Sequence, residues 1–374
     1  GEHSAPRPGH CPAHGRTMEN IMTVKVAIVG FAHGHVGQYL KMWQEHPEWG
    51  VVATSCWDHD AERLAKSAQT HKLNPCSDLD AMLADPAINA VVICTETSLH
   101  ADMVEKAAAA GKAIALQKPL ALTMQEADRI CAAVTRYKVP FTMAWQMRVD
   151  PQNHAIKELM ENGSIGRVFQ FRRRHGLGVC LNPAFADTWH VAPDKNRDIW
   201  ADDSAHPIDL IYWLFGMPET VTAEVVSLHN PRMPNDNGIA IFRYPNGPLV
   251  EVTCSFTCAG AEISTEVYGD KGSIQQDYGD AISASLPRAA DAVGLKYYLK
   301  ADNSWHPCDI PSPHSQGERI AGLAKPMADF FQGKAPAIAS AEDGRNALQI
   351  VLATYVSNRE GRRVAINDPA IKNV

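Results

Sequence analysis

The feature that most constrains the fold is a regular alternation, over residues 22–145, of short apolar runs with segments of helical periodicity. The runs VKVAIVG, NAVVICT and VPFTMAW contain almost no charge and many β-branched residues. Such runs are typical of strands buried on both faces, and strands that alternate with helices usually pair in parallel. The segment therefore predicts a doubly wound parallel sheet with helices on both sides.

After Asp150 the pattern changes to longer alternating stretches separated by tight turns such as Pro245-Asn246-Gly247. Consecutive strands joined by short turns predict an antiparallel sheet. Strands are expected at about 218–229, 238–244, 249–257, 261–268 and 272–277, and helices at about 315–333 and 342–360. The predicted fold class is α/β, with a Rossmann doubly wound sheet followed by an α+β domain that contains a large, mainly antiparallel sheet.

A chain of 374 residues exceeds what one hydrophobic core usually organises, so two domains are expected. We place the first domain over residues 22–145 and the second over residues 146–374. Residues 1–21 are rich in proline, histidine and glycine and show no periodicity, which predicts a disordered arm or an added segment outside both domains.

Charge and cysteine content argue against several classes of partner. The formal net charge is -7, and nucleic-acid binding depends on clustered lysine and arginine. The densest basic run here, Arg172-Arg173-Arg174, lies inside a predicted strand. The nine cysteines form no CxxC pair, which argues against a disulfide framework and favours a reducing cytoplasm. No apolar run is long enough to cross a bilayer. We therefore expect a cytoplasmic protein that binds neither nucleic acid nor membrane.

The turn after the first strand, Gly30-Phe31-Ala32-His33-Gly34-His35, lies where a dinucleotide-binding fold turns tightly into its first helix. Small residues there let backbone amides approach a pyrophosphate. A strict G-x-G-x-x-G motif would have glycine in place of Ala32 and His35, so a turn that binds no phosphate is the alternative. His33 and His35 lack the further ligands that a metal site requires.

Asp58 ends the second predicted strand, where a carboxylate would accept hydrogen bonds from the adenosine ribose and repel a 2′-phosphate. This position favours NAD over NADP as the cofactor. The alternative is that Asp58 or Asp60 only caps the helix that follows.

Several landmarks, taken in order, resemble the Gfo/Idh/MocA oxidoreductases over about residues 23–366. They are VGFAHGH, Asp58, INAVVICTETSLH, GKAIALQKPLALT, WQMRVDP, DDSAHPIDLIYWLFG and VYGDKGSI. The resemblance implies a Rossmann domain that binds a nicotinamide cofactor and a second domain that binds substrate. It also implies a sugar or cyclitol substrate and a homodimer or homotetramer formed through the second domain's sheet.

The resemblance also implies site residues. The family's EKP motif reads Gln117-Lys118-Pro119 here, which implies that Lys118 lies near the nicotinamide. The family's D-x-G-x-H-x-x-D segment corresponds to Asp202, His206 and Asp209, with Ser204 in place of the glycine.

In the segment that follows the fourth strand, Thr95 and His100 match residues that line the cofactor in the family, whereas Glu96 stands where proline is usual. We therefore expect the cofactor to contact the turn at residues 30–35, together with Asp58, Thr95, Glu96, His100, Gln117 and Lys118.

Hydride transfer at a carbinol carbon requires a group that takes the hydroxyl proton, or returns it in the reverse direction. We expect Lys118 to be this acid/base, because burial and the positive nicotinamide ring both disfavour its ammonium form. His206 would be a second hydrogen-bond partner or proton shuttle, and Asp202 would orient the substrate or the imidazole. Position alone leaves open a surface lysine and a core histidine.

Asp202, His206 and Asp209 have the spacing of one helical face, if a single helix extends through them. Further pocket residues are expected in the segments that should face the cofactor, namely Arg148, His175, Trp189 and His190. Zinc binding by His190, His206 and Asp202 is an alternative without a supporting spacing signature, and no metal is expected.

The predicted function is therefore an NAD(H)-dependent oxidoreductase that transfers a hydride to or from a carbinol carbon of a sugar, sugar derivative or cyclitol. One alternative is a redox-neutral NAD-dependent glycoside hydrolase, in which transient oxidation of a ring carbon permits elimination of the aglycone. Another is a non-catalytic NAD-binding regulator, against which the presence of Lys118 and His206 argues.

Overall fold

The computed structural model describes residues 22–260, 263–277 and 291–374, so the arm predicted over residues 1–21 lies outside the described residues. The apolar runs of the first part of the chain form β1 (Val24–Val29), β2 (Val51–Trp57), β3 (Asn74–Pro75), β4 (Ala90–Ile93), β5 (Ala113–Leu116) and β6 (Phe141–Met143). These strands pair in parallel in the order β3-β2-β1-β4-β5-β6. The predicted doubly wound sheet is confirmed.

Five helices connect these strands: α1 (Val36–Glu45), α2 (Ala61–His71), α3 (Leu79–Ala84), α4 (His100–Ala109) and α5 (Met124–Tyr137). Side chains fix two of the helix starts. The Asp60 carboxylate accepts hydrogen bonds from the first turn of α2, and the Thr123 hydroxyl accepts one from the first turn of α5. The strand order reverses direction between β1 and β4, and ligands of such folds bind beyond the carboxyl ends of the strands at this point.

The second part of the chain opens with α6 (Pro151–Glu161) and β7 (Val168–Gly176). Three helices follow, α7 (Pro193–Asn196), α8 (Ile199–Asp203) and α9 (Ala205–Phe215). The remaining strands are β8 (Thr220–Val226), β9 (Asn237–Arg243), β10 (Leu249–Ser255), β11 (Ser264–Gly269), β12 (Gly272–Gln276), β13 (Leu295–Leu299), β14 (Ser304–Pro307) and β15 (Val364–Ala365).

These strands form one sheet in the order β14-β13-β12-β11-β7-β10-β9-β8-β15. The predicted, mainly antiparallel sheet is confirmed, and only the pairing of β7 with β10 is parallel in the described part of the sheet. Parallel neighbours require a long crossover, which the helical segment between β7 and β8 helps to provide.

The carboxy-terminal helices are α10 (Gln316–Ala321), α11 (Ala324–Phe331) and α12 (Ala341–Glu360). The single helix expected over 315–333 was wrong: it is two helices, because Pro326 has no N–H to continue the hydrogen-bond ladder from α10. Leu323 and Met327 are fully buried in the same apolar cluster as Tyr39 of α1, so this segment packs against the first sheet's helices. No helix in the described ranges is long and apolar enough to cross a bilayer.

Candidate active site

Lys118 follows β5 at the carboxyl edge of the parallel sheet, and its side chain is buried. Its amine donates a hydrogen bond of 2.9 Å to the backbone carbonyl oxygen of Asp202 and lies 3.4 Å from Asp202 Oδ1. Lys118 is therefore not a surface lysine, which was the alternative that its position in the sequence left open. The amine is therefore held by a buried carboxylate at the edge of the sheet where ligands of such folds bind.

Asp202 is the centre of a hydrogen-bonded group that spans the two parts of the chain. Its Oδ1 accepts a 2.8 Å bond from Asn196 Nδ2, and its Oδ2 lies 3.2 Å from His190 Nδ1. Asn196 in turn accepts a hydrogen bond of 2.5 Å from the hydroxyl of Thr97, which lies just after β4. Burial alone would raise the pKa of Asp202, but Lys118, His190 and Asn196 hold it below its usual range, so Asp202 is a carboxylate.

His206 lies in the first turn of α9, four residues after Asp202, and it is buried. Burial, and then the positive charge of Lys118, lower the pKa of His206 well below its usual value, so its imidazole is neutral. Its Nδ1 has no hydrogen-bond partner among the described residues. On the other side of the ring, His206 Nε2 is 3.8 Å from Asp203 Oδ1, and Asp203 also pairs with His175 Nε2 at 2.9 Å.

The expectation that Asp202, His206 and Asp209 share the face of one helix was wrong in part. The helix is interrupted at Ser204, between α8 and α9, because Pro207 cannot donate to the carbonyl of Asp203. Asp202 and His206 both lie near Lys118, whereas both oxygens of Asp209 accept 2.9 Å bonds from Arg148. Arg148 is thus buried in an ion pair.

The two histidines of the first turn have ring centroids 4.1 Å apart; His33 is buried and His35 is half-buried. The His33 ring is 5.8 Å from the rings of both Trp189 and His190, and Trp189 Nε1 donates a 2.9 Å bond to the carbonyl oxygen of Ala32. Burial lowers the pKa of His33 well below its usual value, and burial with the charge of Lys118 lowers the pKa of His35 to about 3. Both rings are therefore neutral.

Asp58 is buried and accepts hydrogen bonds from the backbone N–H groups of Phe31 at 2.8 Å and Asp60 at 2.9 Å. The guanidinium of Arg63 also binds it, with Nε 2.8 Å from Oδ2 and Nη2 2.9 Å from Oδ1. Asp58 therefore fixes the turn after β1 to the end of β2. The helix cap is Asp60, which leaves Asp58 to its other contacts.

Two further residues that the sequence predicted to contact the cofactor form hydrogen bonds within the protein. His100 lies between the backbone carbonyl oxygens of Leu120 and Thr95, at 3.1 and 3.3 Å, and burial lowers its pKa to about 4. The Gln117 amide donates to the hydroxyl of Tyr39 and its oxygen accepts from the backbone N–H of Lys118 at 3.2 Å. These side chains orient the carboxyl ends of β4 and β5.

Sequence reasoning missed Asn196, Thr97, Arg63 and His59, all of which contact residues of the site. Arg63 is an ordinary surface position in the helical pattern, and Asn196 ends the short helix α7, so neither carries a local signal. In the described residues, no cluster of three or more histidine, cysteine or acidic side chains is arranged to hold a metal ion.

Comparison with known families gives two matches that together cover both sheets. Residues 24–144 match a model described as an oxidoreductase family with an NAD-binding Rossmann fold, and residues 153–275 match the GFO/IDH/MocA C-terminal domain. The first match identifies the parallel sheet as an NAD-binding fold.

Named relatives point to the same group of enzymes. D-apiose dehydrogenase of Paraburkholderia graminis is 27% identical over 364 residues, which is 94% of this chain and 92% of that protein. The scyllo-inositol 2-dehydrogenase (NAD(+)) of Bacillus subtilis is 30% identical over 220 residues, 57% of this chain and 62% of that protein. A solved structure of levoglucosan dehydrogenase in complex with NADH has a TM-score of 0.79 at 22% identity, covering 93% of this chain and 100% of that one, and shows that the fold is shared.

The residues at the carboxyl edge of the parallel sheet fit a bound dinucleotide. A side chain on Gly34 would meet no described atom within 4 Å, so the backbone of the turn faces open space there. Both ring nitrogens of His33, His35 Nδ1 and Thr95 Oγ1 are buried without a partner among the described residues. Because buried polar groups are nearly always hydrogen-bonded in the functional state, these atoms indicate a polar ligand at this edge.

Proposed function

Because the chain belongs to the Gfo/Idh/MocA family of NAD-binding oxidoreductases, we propose that it transfers a hydride between NAD(H) and a carbinol carbon of a sugar, sugar derivative or cyclitol. The observation that carries the proposal is the buried Lys118 amine bonded to Asp202, with the neutral His206 beside it. The names of the relatives support the substrate class, since they include apiose, inositol and levoglucosan dehydrogenases.

We place the cofactor beside the buried polar atoms that lack a partner among the described residues, in the turn after β1 and just after β4. The backbone of residues 30–35 would hold the pyrophosphate, Asp58 and Glu96 would border the ribose, and Thr95 would line the site between them. His100, Gln117 and Lys118 would line its nicotinamide side, the first two by orienting the strand ends. When bound, NAD accepts or supplies the hydride.

Lys118 would take the proton from the substrate hydroxyl during oxidation and return it during reduction. His206 Nδ1, which has no partner among the described residues, would hold the same hydroxyl or its neighbour. Asp202 would keep the amine oriented through its 2.9 and 3.4 Å contacts. His175, Trp189 and His190 would line the remaining wall.

The proton also needs a path to solvent, and the hydrogen-bonded group supplies one. The side chains of Lys118 and Asp202 are 3% and 5% exposed, whereas that of His190 is 25% exposed and contacts Asp202. The His190 ring, held by Asp202, would therefore relay the proton between the site and solvent, while Asp202 stays a carboxylate. Arg148 would support the pocket indirectly, by holding Asp209.

The test is Lys118→Ala, assayed for turnover on a panel of pyranoses, pentoses, cyclitols and aryl glycosides with NAD, and for NAD binding. We expect turnover to fall by about a thousandfold or more while NAD binding stays nearly intact. Unchanged turnover would show that the assignment of Lys118 is wrong. Release of aglycone without accumulation of NADH would favour the redox-neutral hydrolase, and NAD binding without any turnover of the parent protein would favour the regulator.

We also propose a homodimer or homotetramer formed through the outer face of the nine-stranded sheet. This face carries the exposed side chains of Val226, Ile239, Ile241 and Leu249, and Arg172 there pairs with Glu251 and Glu266. Apolar patches of this kind, rimmed by polar residues, are typical of protein interfaces. Light scattering of the parent protein and of an Ile239→Lys/Ile241→Lys variant tests it, because a monomer in both would contradict the proposal.

A further inference from the structure

Four charged or ionisable side chains meet where β2 and β4 end, at the edge assigned to the cofactor's ribose. Arg63, on the first turn of α2, bonds both oxygens of Asp58 at 2.8 and 2.9 Å. The same Nη2 donates to Glu96 Oε1 at 3.1 Å and lies 3.2 Å from His59 Nε2, while His59 Nε2 is 2.9 Å from Glu96 Oε2. We call these four residues the ribose-edge cluster.

The ribose-edge cluster contains a guanidinium, which favours the binding of NADP, and two carboxylates, which disfavour it. A guanidinium close to the second strand's end is the residue that accommodates a 2′-phosphate in this fold class, since it binds phosphate in a planar, bidentate manner. The side chain of Arg63 is 26% exposed, so ligand can reach it. The Asp58 and Glu96 side chains are only 0% and 5% exposed, so both carboxylates face the guanidinium from the protein side.

Asp58 alone matches the charge of Arg63 and leaves the pair neutral. Its oxygens already accept from Arg63 and from two backbone N–H groups, so it holds the guanidinium without adding net negative charge. Glu96 supplies the second carboxylate. Burial alone would raise the pKa of Glu96, but hydrogen bonds from its own backbone, His59 and Arg63 hold it below its usual range, so Glu96 is charged at neutral pH.

We propose that Glu96 is a specificity-determining residue that excludes the 2′-phosphate of NADP by engaging Arg63 together with Asp58. The inference rests on the proposed placement of the cofactor's ribose at this edge. With Glu96 present, the Arg63–Asp58–Glu96 group carries a net negative charge and Nη2 is occupied. Without it, the guanidinium regains a free donor and a neutral surrounding, both of which favour a phosphate.

The test is Glu96→Gln, which keeps the shape of the side chain and removes its charge. Dissociation constants for NAD+ and NADP+ are measured by calorimetry on the complete protein, so the result does not depend on a substrate. We expect NADP+ to bind about tenfold more tightly than to the parent protein, with NAD+ changed by less than about threefold. The matched control is Glu105→Gln, an exposed carboxylate paired with Arg129 on the same domain, which should change neither constant.

Two more variants separate the proposed cause from others. Glu96→Pro should shift the preference in the same direction, and the φ of −54° at this position suits proline. Adding Arg63→Ala to Glu96→Gln should cancel the gain for NADP+, because the guanidinium is what binds the phosphate. Thermal unfolding of each variant shows whether it is folded.

Four outcomes are decisive. An unchanged ratio of the two constants in both folded Glu96 variants would overturn the inference, and so would a gain for NADP+ that persists without Arg63. A parent protein that binds neither nucleotide would instead refute the proposed function itself. A gain that disappears with Arg63 is the result expected.

Discussion

Asp202→Asn should destabilise the protein because it leaves the buried Lys118 ammonium without a charged partner. Two unit charges 3.4 Å apart attract by about 5 kcal/mol at the effective dielectric constant of about 20 that suits protein sites. Lys118 keeps its 2.9 Å bond to the Asp202 backbone carbonyl, which offsets part of this attraction, so we expect a net loss of about 3 kcal/mol. In a chain of this size that loss lowers the unfolding temperature by about 4 °C.

The loss should depend on pH in a defined direction. The pKa of Asp202 is depressed in the folded protein, so its stabilisation is fully present above the unfolded-state value of about 4 and is lost as the pH falls towards the folded-state value. The difference in unfolding temperature between parent and variant should therefore be largest at neutral pH and shrink only below about pH 4.

Calorimetric melting curves at several pH values measure this difference. The matched control is Asp102→Asn, which removes an exposed aspartate that Arg129 contacts at 2.6 Å, and it should cost less than about 1 kcal/mol. If Asp202→Asn is no more destabilising than Asp102→Asn at neutral pH, the buried pair does not hold this edge of the sheet together and the reasoning fails.

Two other perturbations test the proton path and the first turn. His190→Phe keeps a ring stacked on Trp189, whose ring centroid is 4.1 Å away, but removes the nitrogen that contacts Asp202. Steady-state turnover should fall by about tenfold or more and recover in part with added imidazole. An equal loss of turnover without recovery would indicate that His190 only packs. Gly30→Ala should lower the unfolding temperature and weaken NAD binding, because Gly30 has a φ of +87° and a Cβ there would lie 2.5 Å from Thr95 Cγ2. A fully stable variant with normal NAD affinity in calorimetry would contradict this packing.

The sequence was sufficient to predict the parallel sheet because its strands are buried on both faces. A strand such as β4, in which every residue is buried, leaves a short uninterrupted apolar run, and its length and β-branched residues favour a strand over a helix. The parallel pairing of β7 with β10 was not predictable in the same way. Alternation along β7 indicates which residues are buried but carries no information about the direction of a partner that lies far along the chain.

The same distinction applies to the candidate site. Lys118, Asp202 and His206 belong to short motifs, so the sequence indicated them, and the fold brings them together. Arg63 and Asn196 take part through contacts between distant segments, and no local pattern marks them. Their roles depend on which strand ends become neighbours, and that follows from the sheet order.

The interruption at Ser204 explains how one short motif serves two separate buried charges. Pro207 removes one hydrogen bond between α8 and α9, and the motif's two aspartates bind different partners. Asp202 binds Lys118 from the parallel-sheet side, while Asp209 binds Arg148, and each aspartate neutralises a cation that would otherwise be costly to bury. The segment formed by α8 and α9 thereby contacts Lys118 at the carboxyl edge of the parallel sheet through Asp202 and contacts Arg148 through Asp209. The position of the proposed acid/base is therefore coupled to the packing of α9.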